Sequence, residues 1–135
     1  MKEDEAFEWA KKEVEYAKER LKAAELLLKN GKIVDSINRS YYAMFHAARG
    51  FLFLFGEEPK THEGVIREFS RIIMSKHVLN RSTGRWLRQA FEARESGDYR
   101  IGMIFEIEDA KDILQKAKKF VKSVEDFVKR SYKKR

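Results

Sequence analysis
Arg39, Tyr42, His46 and Arg49 stand at spacings of three, four and three around the run Ser40-Tyr41-Tyr42-Ala43-Met44-Phe45-His46-Ala47-Ala48-Arg49-Gly50. A helix turns about 100° per residue, so on a helix these four side chains fall within about 80° of one another. Asp35 lies one turn earlier on the same stripe. The rest of the run is largely apolar, and titratable groups on an apolar helix must meet partners, water or a ligand. The residue types suit phosphate chemistry. Histidine exchanges protons near neutral pH and can serve as general acid or base for attack by a ribose 2′-hydroxyl. Arginine forks onto a phosphate with two parallel N–H donors. A tyrosine ring offers a face to a base. The plainer reading makes His46 a buried histidine bonded to nearby backbone or an Asp. It pairs Arg39 with Asp35 one turn away, worth about 0.3–0.5 kcal/mol when exposed.

A second group stands in Arg94-Glu95-Ser96-Gly97-Asp98-Tyr99, where a helix is expected to give way to an irregular segment. Such corners carry function more often than helix middles. Arg94, Asp98 and Tyr99 therefore join Arg39, Tyr42 and His46 as candidate nucleotide- or RNA-binding residues. Arg39, His46 and Arg94 are the candidate catalytic ones. The plain alternative is an Arg94–Asp98 ion pair with Tyr99 packed beneath it. His62 reads as structural, orienting a turn and touching the helix that carries the stripe.

Other chemistries lack their residues. There is no glycine-rich phosphate loop and no dinucleotide fingerprint. His46, His62 and His77 have no metal-ligand spacing. No local signature assembles a Ser-His-Asp set. Cysteine is absent, which excludes disulfides and thiolate zinc sites. No metal and no cofactor is expected.

The elements that must hold these residues are few and long. The chain has 135 residues, one proline, seven glycines and 43% hydrophobic residues, the scale of a single domain. Ala10, Val14, Ala17, Leu21, Ala24 and Leu28 step by four and three, predicting a first helix from about Asp4 to Lys29. Gly31 is suited to its left-handed cap. A second helix, about 33 to 55, is apolar nearly all round, as a central helix or one facing a partner subunit would be. Tyr41, Phe45, Phe51, Phe53 and Phe55 exceed what one core face absorbs, which points to a homodimer along this helix. Thr61 is placed to cap a third helix, about 61 to 75. A fourth runs from 83 to 96 and stops at Gly97, and a last one runs from 107 to 131. No strand pattern, repeat or linker appears. The expected fold is all-α: an up-and-down four-helix bundle with an additional short helix, over residues 1–135 with 130–135 a frayed basic tail.

Net charge is +7 and unevenly spread. Residues 1–30 hold seven basic and eight acidic groups, residues 60–100 nine against five, and residues 116–135 nine against two. The basic second half suits an anionic partner, although charge alone also fits a solvated face. The charged N-terminus does not read as a signal peptide. The greasiest run, Phe51 to Phe55, is too short to cross a bilayer. A cytoplasmic location without membrane contact is the expectation.

Four segments in order resemble the HEPN domain family of small prokaryotic helical proteins. They are Asn38 to Ala48, Lys60-Thr61-His62-Glu63-Gly64-Val65, Arg94 to Tyr99, and the amphipathic run Ala110 to Phe120. The resemblance spans residues 5 to 130 and implies a HEPN-like helical bundle that dimerises. It implies a minimal nucleotidyltransferase as partner, often in a two-gene toxin–antitoxin module, and a nucleotide or RNA as ligand. Tyr99 stands where some relatives are modified on tyrosine by that partner. Some branches are metal-independent endoribonucleases with an Arg and a His separated by four to six residues near the last helices. Here Asp98-Tyr99 follows Arg94 in place of that histidine, while Arg39 and His46 meet the spacing on the second helix. The first expectation is thus a nucleotide- or RNA-binding partner of a nucleotidyltransferase. The alternative is an endoribonuclease toxin using Arg39, His46 and Arg94.

Overall fold
The computed structural model describes residues 1–99 and 104–134, apart from the side chains of Asp98 and Tyr99. Its helices are α1 (Glu3–Lys29), α2 (Ile33–Phe53), α3 (His62–Lys76), α4 (Ser82–Tyr99) and α5 (Ile107–Lys133). No strand occurs among the described residues. The all-α expectation holds, with α3 as the short helix.

Local chemistry sets most boundaries. Glu3, Asp4 and Glu5 place negative charge in the first turn of α1, where the helix dipole favours it. At the other end Gly31 takes φ +73°, its N–H reaches Leu28 O at 3.0 Å, and Lys32 N–H reaches Leu27 O at 2.9 Å. That paired bonding around a left-handed glycine satisfies the last carbonyls. The same device ends α2: Gly56 has φ +76°, with Gly56 N–H on Phe53 O at 3.1 Å and Glu57 N–H on Leu52 O at 3.0 Å. The helix therefore closes at Phe53, two residues before the expected end. Thr61 caps α3 as predicted, its hydroxyl accepting from Gly64 N–H at 2.9 Å.

α2 is the central helix and packs against all four others. α1 and α5 lie together on one side of it, and α3 and α4 pair with each other on another. The seam between α1 and α2 is narrow. Ser36 donates from its buried hydroxyl to Ala24 O at 2.8 Å. A β-carbon at Gly50 would sit 3.0 Å from both Ala10 O and Glu13 Cβ. Small residues thus bring the backbones close, and Glu13 with them.

The aromatic surplus of α2 is absorbed inside the chain, which removes it as an argument for a dimer. Tyr41 and Phe51 are fully buried and Phe53 is 7% exposed. Phe51 packs on Phe69 of α3 and Phe127 of α5 at ring distances of 5.2 and 5.1 Å. Phe45 stacks on His62 at 4.4 Å, and Phe55 stacks on Phe127 at 5.9 Å.

Two further expectations are corrected. Gly97 does not stop α4, which continues to Tyr99. A β-carbon there would lie 3.1 Å from Val34 Cγ1, so this glycine serves close packing against the start of α2. The expected irregular stretch from Asp98 is therefore helical at 98 and 99, and residues 100–103 lie outside the described ones. The tail is likewise helical to Lys133, where Tyr132 packs on Phe7 with ring centroids 5.2 Å apart.

Candidate functional site
The α2 stripe meets α4 at its middle. Arg94 lays its guanidinium over the Tyr42 ring, 5.4 Å from the centroid, and its side chain is 15% exposed. Its Nη1 also donates to Glu95 Oε1 at 2.9 Å. The Tyr42 ring lies 6.4 Å from that of His46. Arg94, Tyr42 and His46, chosen from two distant parts of the sequence, thus share one partly exposed surface. Arg39 is exposed one turn before Tyr42 on α2. It makes no ion pair among the described residues, so the alternative reading of a bridge to Asp35 is not met. Asp112–Lys116 and Asp126–Lys122 do form at the same spacing on α5. Both Asp35 and Arg39 face water, where such a pair gains almost nothing. Asp98 and Tyr99 lie at the end of α4, and the arrangement of their side chains, with the Arg94–Asp98 pairing, falls outside the described residues.

His46 is tied to a glutamate of α1 rather than to nearby backbone or an Asp. Its Nδ1 is 2.8 Å from Oε2 of Glu13 on α1, a carboxylate whose side chain is only 5% exposed. Arg49 Nη1 stands 3.9 Å from the other oxygen of Glu13. Tyr16 of α1 meets the His46 ring edge-on at 5.7 Å, and Arg20 lies over the Tyr16 ring at 5.9 Å. With Nδ1 engaged by the carboxylate, the imidazole is held in one orientation, the arrangement that prepares a histidine for proton transfer at Nε2. Glu13 was missed because its partner lies in another helix. Its signal was a charge amid the buried stripe Ala10, Val14 and Ala17.

Beneath this surface lies a second pair. The Tyr41 hydroxyl and His62 Nδ1 are 2.5 Å apart, with His62 between Phe45 and Phe91. Burial holds the Tyr41 phenol well above its ordinary range. Burial, joined by the nearby Arg94 cation and opposed by Glu95, holds His62 below its ordinary value of 6.5. A neutral His62 can accept from the Tyr41 hydroxyl. His62 thus joins the start of α3 to α2 and supports the Tyr42 surface from below. Among the described residues, no three His, Asp or Glu side chains gather as a metal-ligand set. No described helix is long and apolar enough to cross a membrane.

The sequence profile of the HEPN domain matches residues 10–127. The chain belongs to the HEPN domain family. A UPF0332 protein of Thermotoga maritima is 35% identical over 112 residues, covering 83% of this HEPN chain and 85% of that protein. A Methanocaldococcus jannaschii protein named as a candidate toxin is 32% identical over 116 residues, covering 86% of each. A UPF0332 protein of Pyrococcus horikoshii is 42% identical over 80 residues, 59% of this chain and 56% of its own.

Proposed function
We propose that this HEPN chain is the toxin-like, RNA-binding member of a pair with a minimal nucleotidyltransferase, and acts as a homodimer. The observation that carries the reading is Arg94 of α4 lying over Tyr42 of α2 beside His46. Cations, a ring and an imidazole then line one surface, with exposed Arg39 at its edge. Arg39 and Arg94 contact phosphate, Tyr42 stacks on a base, and His46 hydrogen-bonds the strand. The uneven basic charge and the relative named as a candidate toxin support the same reading. The partner and the dimer rest on the family.

The Glu13–His46 hydrogen bond favours a second reading, a metal-independent endoribonuclease. In that reaction His46 takes the proton of a 2′-hydroxyl. The oxygen bonds to phosphorus as the P–O5′ bond breaks, and the 5′ oxygen acquires a proton from water or from a returning imidazolium. Arg39 or Arg94 stabilises the charge gathering on the phosphate oxygens.

One assay separates the two. RNA binding and cleavage in EDTA are followed for the parent and for Arg39→Ala, His46→Ala and Arg94→Ala. The binding reading expects an affinity that falls steeply with salt, an Arg39→Ala variant whose salt slope is shallower by about one, and no cleavage. Cleavage lost in a folded His46→Ala protein establishes the enzyme. Affinity unchanged in all three variants, with no cleavage by the parent, sinks both readings.

A further inference from the structure
Beyond His46 the α2 stripe runs into a cleft of about 390 Å³ between the start of α1, the second half of α2 and the turn before α3. Its walls are Trp9, Phe53 and Pro59, Glu13 is buried at its floor, and Arg49 and Lys60 stand at its rim. The volume falls in the range of small-molecule sites, about 300–1,000 Å³. Trp9 is 41% exposed, unusual for so large a ring, and Lys12 lies 4.7 Å from its centroid. The Arg49 guanidinium is held over Phe53 at 5.6 Å, presenting a flat cation. A second carboxylate at the cleft, Glu58, has the Met1 amino group 3.5 Å away.

The floor decides what the cleft accepts. Glu13 Oε2 is engaged by His46. Oε1 has Arg49 at 3.9 Å, beyond hydrogen-bond length, and keeps lone pairs for a donor. A carboxylate at the bottom of a flat-walled slot selects a planar ring whose edge carries N–H groups. Guanine has two adjacent donors, N1–H and the N2 amino group. Adenine and cytosine each place a ring-nitrogen acceptor beside their single amino group, which would face the carboxylate lone pair to lone pair. Uracil flanks one N–H with two carbonyls. We propose that this cleft binds guanine, with the base against Trp9, its donor edge on Glu13, and its phosphate on Arg49 and Lys60. The guanine belongs either to a free nucleotide or to a strand lying along α2. The second case rests on the RNA-binding reading above, and the first does not.

Trp9 is one of only two tryptophans, so in a Trp86→Phe background its fluorescence reports on the cleft. The full chain is titrated with GMP, AMP, guanosine and inorganic phosphate. Quenching by GMP at least tenfold tighter than by AMP is expected, with none from phosphate alone. Glu13→Gln should remove most of that preference. Glu13 is buried, so Lys60→Ala at the exposed rim is the second variant: it should weaken GMP several-fold and leave guanosine unchanged. Equal affinity for GMP and AMP, or quenching by phosphate alone, overturns the proposal. So does a Lys60→Ala protein that binds GMP as the parent does. Oligoadenylate with and without a single guanosine distinguishes the two sources. RNA bound with no guanosine preference, together with no GMP preference, rejects the cleft and leaves the RNA surface standing. GMP bound while no RNA binds rejects the RNA surface and leaves the cleft.

Discussion
His62 shows how one side chain joins burial to pH. Its folded-state value lies below the ordinary 6.5, through burial and then the Arg94 cation. Above that pH it is neutral whether the chain is folded or not, and contributes no pH dependence. As the pH falls below 6.5 the unfolded chain takes up the proton first, so stability is lost on acidification. In His62→Asn this loss should be smaller, and urea unfolding of both proteins at pH 8 and pH 5 measures it. Parallel losses would mean that His62 titrates alike in both states. The structural role of His62 was legible, because it follows a threonine suited to capping and precedes an apolar helical stripe. The partner of His46 was not. A bond between residues 13 and 46 leaves no trace in local spacing, only a glutamate on a face meant for the core.

At the scale of elements, periodicity and caps predicted five helices, and errors came where a glycine carried a different duty. Gly97 reads as a terminator, yet it lets α4 pass Val34. Gly50 lies within the last turn of α2, where glycine still costs up to about 1 kcal/mol relative to alanine, and the close approach of α1 explains why it is there. Gly50→Val should destabilise by about 1–3 kcal/mol through overpacking against Ala10 O, despite the gain in helix propensity. The same displacement should stretch the Glu13–His46 bond, visible as a changed His46 ring resonance. Thermal unfolding at or above the parent's midpoint would refute the tight seam. The aromatic excess on α2 was read as an interface because sequence counts rings but does not say how many neighbours will cover them. α2 has four.

The whole molecule is held by its apolar centre more than by its many charges. Phe120 is fully buried and packs on Phe69 at 5.1 Å. Lys18 and Glu125 join α1 to α5 at 2.7 Å, but the lysine is 44% exposed. Phe120→Ala should cost about 3–5 kcal/mol, a large share of the roughly 5–15 kcal/mol that keeps a domain folded. Glu125→Gln should cost less than about 1 kcal/mol. Denaturant midpoints rank the two, and a reversed order would mean that the ion pair is the stronger clamp. The placing of α5 has a consequence in time. Its partners α1 and α2 leave the ribosome long before it does, so the most apolar helix waits with one side uncovered until the last quarter of the chain arrives. That interval is when nascent chains would stick to one another, and when a chaperone would find this protein.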